Sequence, residues 1–263
     1  MKKNNIVVLV NLDKPQPKIV QNSINVANSM NADLTFLYVK KGAEAVRNEN
    51  HISAIKSLTD THMKMDGKMR ELLRPFQDST DSEIKSKIAI GNVKNHIEEH
   101  LNNLNPDLVI LGKRAKKTLP WEGDRLTQHV VGKFQGPVLI SATDQVLELN
   151  EQLSLGLLSG NVSDTPSGFV ADLLKISSQP VKSFRIVDNA EDTQTSKPIP
   201  FKTVEYAFDQ GDNAVKNLSK YVLRNNVNLL FVDRDHVAQR NRKATSSNMN
   251  GVINQLPSSL LLA

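Results

Sequence analysis

Two groups of residues in this chain have types and spacing that could do chemistry. His96-Ile97-Glu98-Glu99-His100 sets two imidazoles one helical turn apart with a carboxylate between them, the H-x-x-E-H spacing of inverted zinc peptidases. Lys113-Arg114-Ala115-Lys116-Lys117, directly after Gly112, gathers positive charge in one loop, where an anionic ligand would be attracted. Each also has an ordinary explanation: a solvated helix face with local ion pairs for the first, a solvated loop with incidental lysines for the second. Other reaction centres are missing. The chain has no cysteine, which excludes disulfide scaffolds, zinc ribbons and thiol chemistry. Neither a nucleophile elbow, a P-loop nor a dinucleotide fingerprint occurs. The expectation is therefore no catalytic residue and no metal ligand, with the zinc hydrolase reading set aside because this helix reads as an outer crossover, remote from strand ends.

The elements that must position these residues follow from composition and periodicity. The chain has 263 residues, 39% of them apolar and 23% charged, with a formal net charge of +5, which describes one large or two modest globular domains. Its apolar runs, such as Ile6 to Val10 and Leu108 to Leu111, are strand-sized, far short of the roughly 20 residues of a membrane helix. Met1-Lys2-Lys3 is basic, but the apolar run behind it ends at Asn11 without a cleavage site, so a cytoplasmic location is expected. Residues 1–150 carry 21 basic and 17 acidic side chains, the remainder 12 and 11, so neither part is a nucleic-acid arm.

In the first part, strand and helix patterns alternate, as in βαβ units on a parallel sheet. Ile6 to Val10 reads as a strand covered on both faces. Val20, Ile24, Ala27 and Met30 then recur at helical spacing, with closure near Asn31. Leu34 to Val39 is a second strand. A long helix carries Ile52, Ile55, Leu58, His62, Met65, Met69 and Leu72 up to Pro75, a stripe that predicts core packing with His62 at its boundary. A third strand spans 86–90, and Asn92 opens a helix with Val93, Ile97, Leu101 and Leu104. Asp107 to Leu111 is a fourth strand, Leu126, Val130 and Phe134 mark a helix, and Pro137 to Ile140 is a fifth strand. A polar linker follows, 142–152.

The second part repeats the plan in shortened form. Strands are expected at 153–159, 183–187 and 202–208, and helices at 169–176 and 214–223. Asp107 to Arg114 aligns with Asn228 to Asp235 at an offset of 121, whereas the first strands align near 147. About 26 residues are thus missing from the second copy, between Val187 and Phe201, where the methionine-striped helix would have been. One face of that sheet should be bare, which predicts self-association into a homo-dimer.

Ligands of an open parallel sheet bind at the carboxyl ends of the strands where strand order reverses. That crevice would be lined by 11–13, 39–41 and 112–117. Ile6-Val-Val-Leu-Val-Asn-Leu-Asp13, Pro106-Asp-Leu-Val-Ile-Leu-Gly112 and Gly136-Pro-Val-Leu-Ile140 together resemble the universal stress protein (UspA-like) family, read as two tandem copies. The resemblance implies two doubly wound α/β domains, 1–145 and 150–263, each with a five-stranded parallel sheet of order 3-2-1-4-5. It also implies an internal pseudo-dimer in which the fifth strands, Pro137 to Ile140 and Ser258 to Leu262, pair with one another.

ATP-binding members of that family share Gly-x-x-Gly, nine residues, then Gly-Ser/Thr, small residues that let the backbone cradle phosphates. Here Gly112 keeps the first glycine, Ala115 replaces the second, Asp124-Arg125 stand where Gly-Ser belongs, and Asn11 replaces the acid that faces the nucleoside. In the second copy Asp233 and His236 occupy the corresponding loop without a glycine pair. Two readings follow. In one, the protein is a stress-response or regulatory binding protein with no cofactor, whose protein partner is unknown. In the other, ATP or another adenine nucleotide still binds the first domain, with slow hydrolysis possible, through Asn11, Asp13, Val39, Gly112, Lys113 and Arg114, helped by Lys116 and Lys117. Neither involves nucleic acid or a membrane. Trp121, the turn 160–165 and the basic loop 240–248 have weaker claims as ligand or partner contacts.

Overall fold

The computed structural model describes residues 3–42, 51–113, 125–158, 169–187, 202–209, 213–232 and 256–263. It divides into two compact units, Met1–Gly112 with Asp124–Gly136, and Lys113–Gly123 with Pro137–Ala263.

The first unit contains strands β1 (Asn4–Leu9), β2 (Ala32–Lys41), β3 (Ile84–Gly91) and β4 (Leu108–Gly112). Ile6 pairs with Leu34 on one side and Leu108 on the other, and Leu34 pairs with Ile84, all in parallel, giving the order β3-β2-β1-β4. Ile6 to Leu9 and Leu108 to Leu111 are buried, as continuous apolar runs must be in a sheet covered on both faces. Helix α1 (Pro17–Met30) starts on a proline that has no amide to leave unpaired, and ends on Asn31 in the left-handed conformation. Its Ile19, Val20, Ile24, Ala27 and Met30 are buried. Helix α3 (Val93–Leu104) opens where Asn92 accepts from the amides of Lys94 and Asn95, a cap contributing about 1 kcal/mol. Helix α4 (Arg125–Lys133) buries Thr127 and Val130.

The long helix α2 (His51–Leu73) corrects the expectation of a stripe packed along its whole length. Met65, Met69 and Leu73 are buried, but Ile55 is 54% exposed and His62 is exposed too. Periodicity records which residues share a helix face; it does not record how far the supporting sheet extends beneath that face.

The second unit holds β5 (Val138–Ser141), β6 (Leu155–Leu158), β7 (Val181–Val187), β8 (Thr203–Asp209), β9 (Leu229–Val232) and β10 (Ser259–Leu262), with helices α5 (Phe169–Ile176) and α6 (Ala214–Arg224). Strands β8-β7-β6-β9-β10 are parallel neighbours, so the second repeat runs 3-2-1-4-5 within this unit. β5 joins β10 antiparallel, with Ile140 opposite Leu260 and Val138 opposite Leu262, which is the expected pairing of fifth strands. The fifth strand of the first repeat therefore packs with the second repeat's unit. The connector 142–152 is anchored as well as polar, since Ala142 and Leu147 are buried.

On β8, at the edge of the second sheet, the face expected to be bare is polar. Tyr206 and Phe208 of β8 lie with Phe184 against Tyr221 of α6, ring centroids 4.6 to 6.0 Å from that tyrosine. Strand alternation then puts Glu205, Ala207 and Asp209 on the other face, where all three are exposed and Arg185 meets Glu205 at 3.9 Å. These β8 positions therefore have little apolar area to gain by burial.

Candidate functional site

Leu12, buried after the end of β1, anchors the loop that enters α1, and Asn11 shapes it. The Asn11 side-chain oxygen accepts from the amides of Asp13 at 3.0 Å and Lys14 at 3.3 Å, an Asx turn. Asn11 thus holds the loop's backbone, a local task that suits short polar side chains.

That turn delivers Asp13 to the carboxyl end of β2. The buried Tyr38 donates its hydroxyl to Asp13 at 2.7 Å, and Lys40, two residues on and so on the same strand face, reaches it at 3.0 Å. Lys68 of α2 lies 3.9 Å from the other carboxylate oxygen. Burial by itself would raise the carboxyl pKa. The hydrogen bonds from Tyr38 and Lys40 and the charges of Lys40 and Lys68 outweigh it and hold the group below the ordinary value. Val39 points to the opposite face of β2 and is half-buried.

Gly112 ends β4 under the first turn of α1. A side-chain carbon there would come within 2.5 Å of Gln16 Oε1 and would overlap Ile19 Cδ1 still more closely. The space that glycine leaves open is filled by the protein's own residues. Lys113 belongs to the second unit, where its amide donates to Ser141 O at 2.8 Å and its ammonium to the backbone oxygen of Leu256. Its charge is engaged with a carbonyl there.

Of the residues singled out from sequence, Asn11 and Asp13 share one turn, Gly112 meets α1, and Lys113 turns to Leu256. Arg114, Ala115, Lys116, Lys117, Trp121 and Asp124 lie outside the described residues, as do 160–165, Asp233, His236 and 240–248. Sequence reading missed Gln16, Ile19, Tyr38 and Lys68, whereas Lys40 falls within the 39–41 stretch expected to line the crevice. The i, i+2 spacing of Tyr38 and Lys40 was visible as a shared strand face, but nothing in the sequence tied that face to Asp13.

The His96 helix also needs correction. It is not remote from strand ends: Asn92 caps α3 directly after β3, and the His96 ring lies over Gly91, the last residue of that strand. A parallel crossover helix always starts near the carboxyl end of the strand it leaves, and His96 is only one turn into it.

No protein-family model and no curated protein matches this chain. Solved structures do. A universal stress protein from Archaeoglobus fulgidus DSM 4304 superimposes over 99% of this chain and 96% of its own, with a TM-score of 0.71 at 12% identity. A putative universal stress protein from Pseudomonas aeruginosa UCBPP-PA14 covers 99% of this chain and 92% of its own, with a TM-score of 0.59 at 12% identity. A functionally unknown protein from Pseudomonas aeruginosa PAO1 gives the same coverage, a TM-score of 0.58 and 12% identity. The chain has the fold of these proteins along its whole length, and the UspA-like resemblance holds at the level of fold.

Proposed function

On a chain with the tandem universal-stress-protein fold, we propose a regulatory or stress-response binding protein that does not hold ATP in the way the family's glycine motif does. The observation that carries this reading is the filled hollow at Gly112. Glycine at a strand end serves a polyanion by letting backbone amides approach the phosphates. Here Gln16 and Ile19 occupy the space above it, and the glycine serves helix packing. Asn11 and Asp13 support the same reading, because one is spent on the loop's amides and the other on Tyr38 and Lys40.

No catalytic step is part of the proposal. Among the described residues, the carboxylate assembled at the first repeat's crevice is that of Asp13, which is ion-paired and held ionised, an arrangement that suits a structural clasp better than a general base near neutral pH. Action through a surface that meets another protein is the remaining role for such a scaffold, and we place it in the cytoplasm.

The test is direct. Protein purified without added nucleotide is denatured and the supernatant assayed for adenine nucleotides, and the native protein is melted with and without magnesium ATP. The reading expects no released nucleotide and an unchanged melting temperature. Nucleotide released at one equivalent per chain, or a dose-dependent rise in melting temperature, would overturn it in favour of an adenine-nucleotide-binding first repeat.

A further inference from the structure

We propose that His96, Glu99 and His100 form a binding site for a divalent transition-metal ion of the zinc class on α3, at the carboxyl end of β3. One ligand atom from each of the three residues lies within 4.8 Å of the other two. Positions i, i+3 and i+4 share a helix face, so the backbone alone brings the side chains together.

The two imidazoles are held in ways that suit ligation. His100 Nδ1 lies 2.8 Å from the backbone oxygen of His96. A carbonyl oxygen only accepts, so Nδ1 carries the proton and Nε2 presents its lone pair. Metal-bound histidines are commonly oriented by such a bond from the other ring nitrogen. His96 is held differently. Its Nε2 edge sits over Gly91, where a side-chain carbon would come within 2.5 Å, and Gly91 has a φ of 155°, a conformation that favours glycine. With that edge against the strand, Nδ1 faces Glu99, whose carboxylate is 3.7 Å away.

The donor set is therefore His96 Nδ1, Glu99 Oε2 and His100 Nε2. Two imidazoles and a carboxylate suit zinc, copper or nickel, whereas magnesium and calcium take oxygen shells. Bonds of about 2.0 Å place tetrahedral ligand atoms roughly 3.3 Å apart, so His96 and Glu99, 3.7 Å apart, already stand near that spacing and the third ligand atom must move in from within 4.8 Å. Glu99, with 63% of its side chain exposed, has the freedom to move, and His96 at 34% leaves a path for entry. Water completes the shell. A simple i, i+3 ion pair between Glu99 and protonated His96 is the competing account, and it gives His100 no part.

The experiment uses the full chain, stripped with a chelator and titrated with zinc against a chromogenic indicator at pH 7.5. One zinc per chain is expected. His100→Ala and His96→Ala should each weaken it at least about tenfold, the lower end of what changes even outside the ligand shell do, and Glu99→Gln should weaken it less. His129→Ala, outside the cluster, should leave affinity unchanged. Circular dichroism of the metal-free variants checks folding, and His100→Gln, which keeps a polar side chain at a half-exposed helix position, provides a second variant. Zinc should also raise the melting temperature of the parent chain and not that of the His96→Ala/His100→Ala double variant. Equal zinc affinity in the parent and the double variant would overturn the proposal. So would absence of zinc binding at millimolar metal, or a loss in His129→Ala as large as in His100→Ala.

Discussion

Asp107 and Asn5 clasp one another at the entrance of β4 and β1. Asp107 Oδ2 accepts from the Asn5 amide at 2.7 Å, and the Asp107 amide donates to the Asn5 carbonyl at 2.8 Å. The second repeat has the same clasp. Asn228 Oδ1 accepts from the Ser154 amide at 3.0 Å, and its own amide donates to Ser154 O at 3.0 Å. Both clasps follow an asparagine in the left-handed conformation two residues earlier, Asn105 and Asn226. Ser154 stands 149 positions after Asn5 and Asn228 stands 121 after Asp107, so the second copy is 28 residues shorter between these points.

The clasp predicts a substitution pattern. Asp107→Ala leaves the Asn5 amide without its side-chain acceptor and should lower stability by about 1 kcal/mol, the usual net worth of such a bond. Asp107→Asn should cost much less, because asparagine performs this task at Asn228. Denaturant unfolding of the two variants checks it, and equal losses would mean that the charge of Asp107 matters more than its acceptor geometry.

At Gly112 the prediction separates packing from ligand binding. Gly112→Ala should destabilise the chain by about 1 to 3 kcal/mol, because a methyl group is forced against Ile19 and Gln16. Ile19→Val removes the nearest obstructing atom, so the double variant Gly112→Ala/Ile19→Val should be more stable than the two single losses add up to. Additive losses in thermal unfolding would show that the two sites do not share this space.

Asp13 predicts a pH dependence. Its folded pKa lies below the ordinary 3.8, so its contribution is present above that value and is lost as pH falls through the folded pKa. Asp13→Asn should therefore lower the melting temperature at pH 7, and the gap between variant and parent should close below pH 3.8. The Asp13 side chain is 43% exposed, so solvent screening keeps the effect modest. A gap unchanged between pH 7 and pH 3 would show that ionisation of Asp13 contributes nothing.

Much of the fold was legible because local rules act on a few neighbouring residues. Asn31 and Asn105 end helices where an asparagine tolerates the left-handed turn, Asn92 caps α3 as its side chain dictates, and continuous apolar runs mark strands buried on both faces. The repeat followed from counting, and the pairing of the fifth strands from the UspA-like resemblance. The site was less legible. Gly112 and Asp13 stood out by type, but whether the space above Gly112 is open depends on where Gln16 and Ile19 of another element land. Likewise the charge of Asp13 depends on Tyr38, Lys40 and Lys68, which are distant in sequence.

By itself, then, the sequence determined two unequal βαβ repeats, since periodicity, caps and turns are short-range properties of the chain. Only the tertiary structure decided that Gln16 and Ile19 stand over the first repeat's Gly112, that the face of β8 carrying Glu205 is polar, and that His96 rests on Gly91 beside Glu99 and His100. Each of these depends on side chains from separate elements competing for one volume. Close packing settles that competition in three dimensions, and no one-dimensional pattern records its outcome.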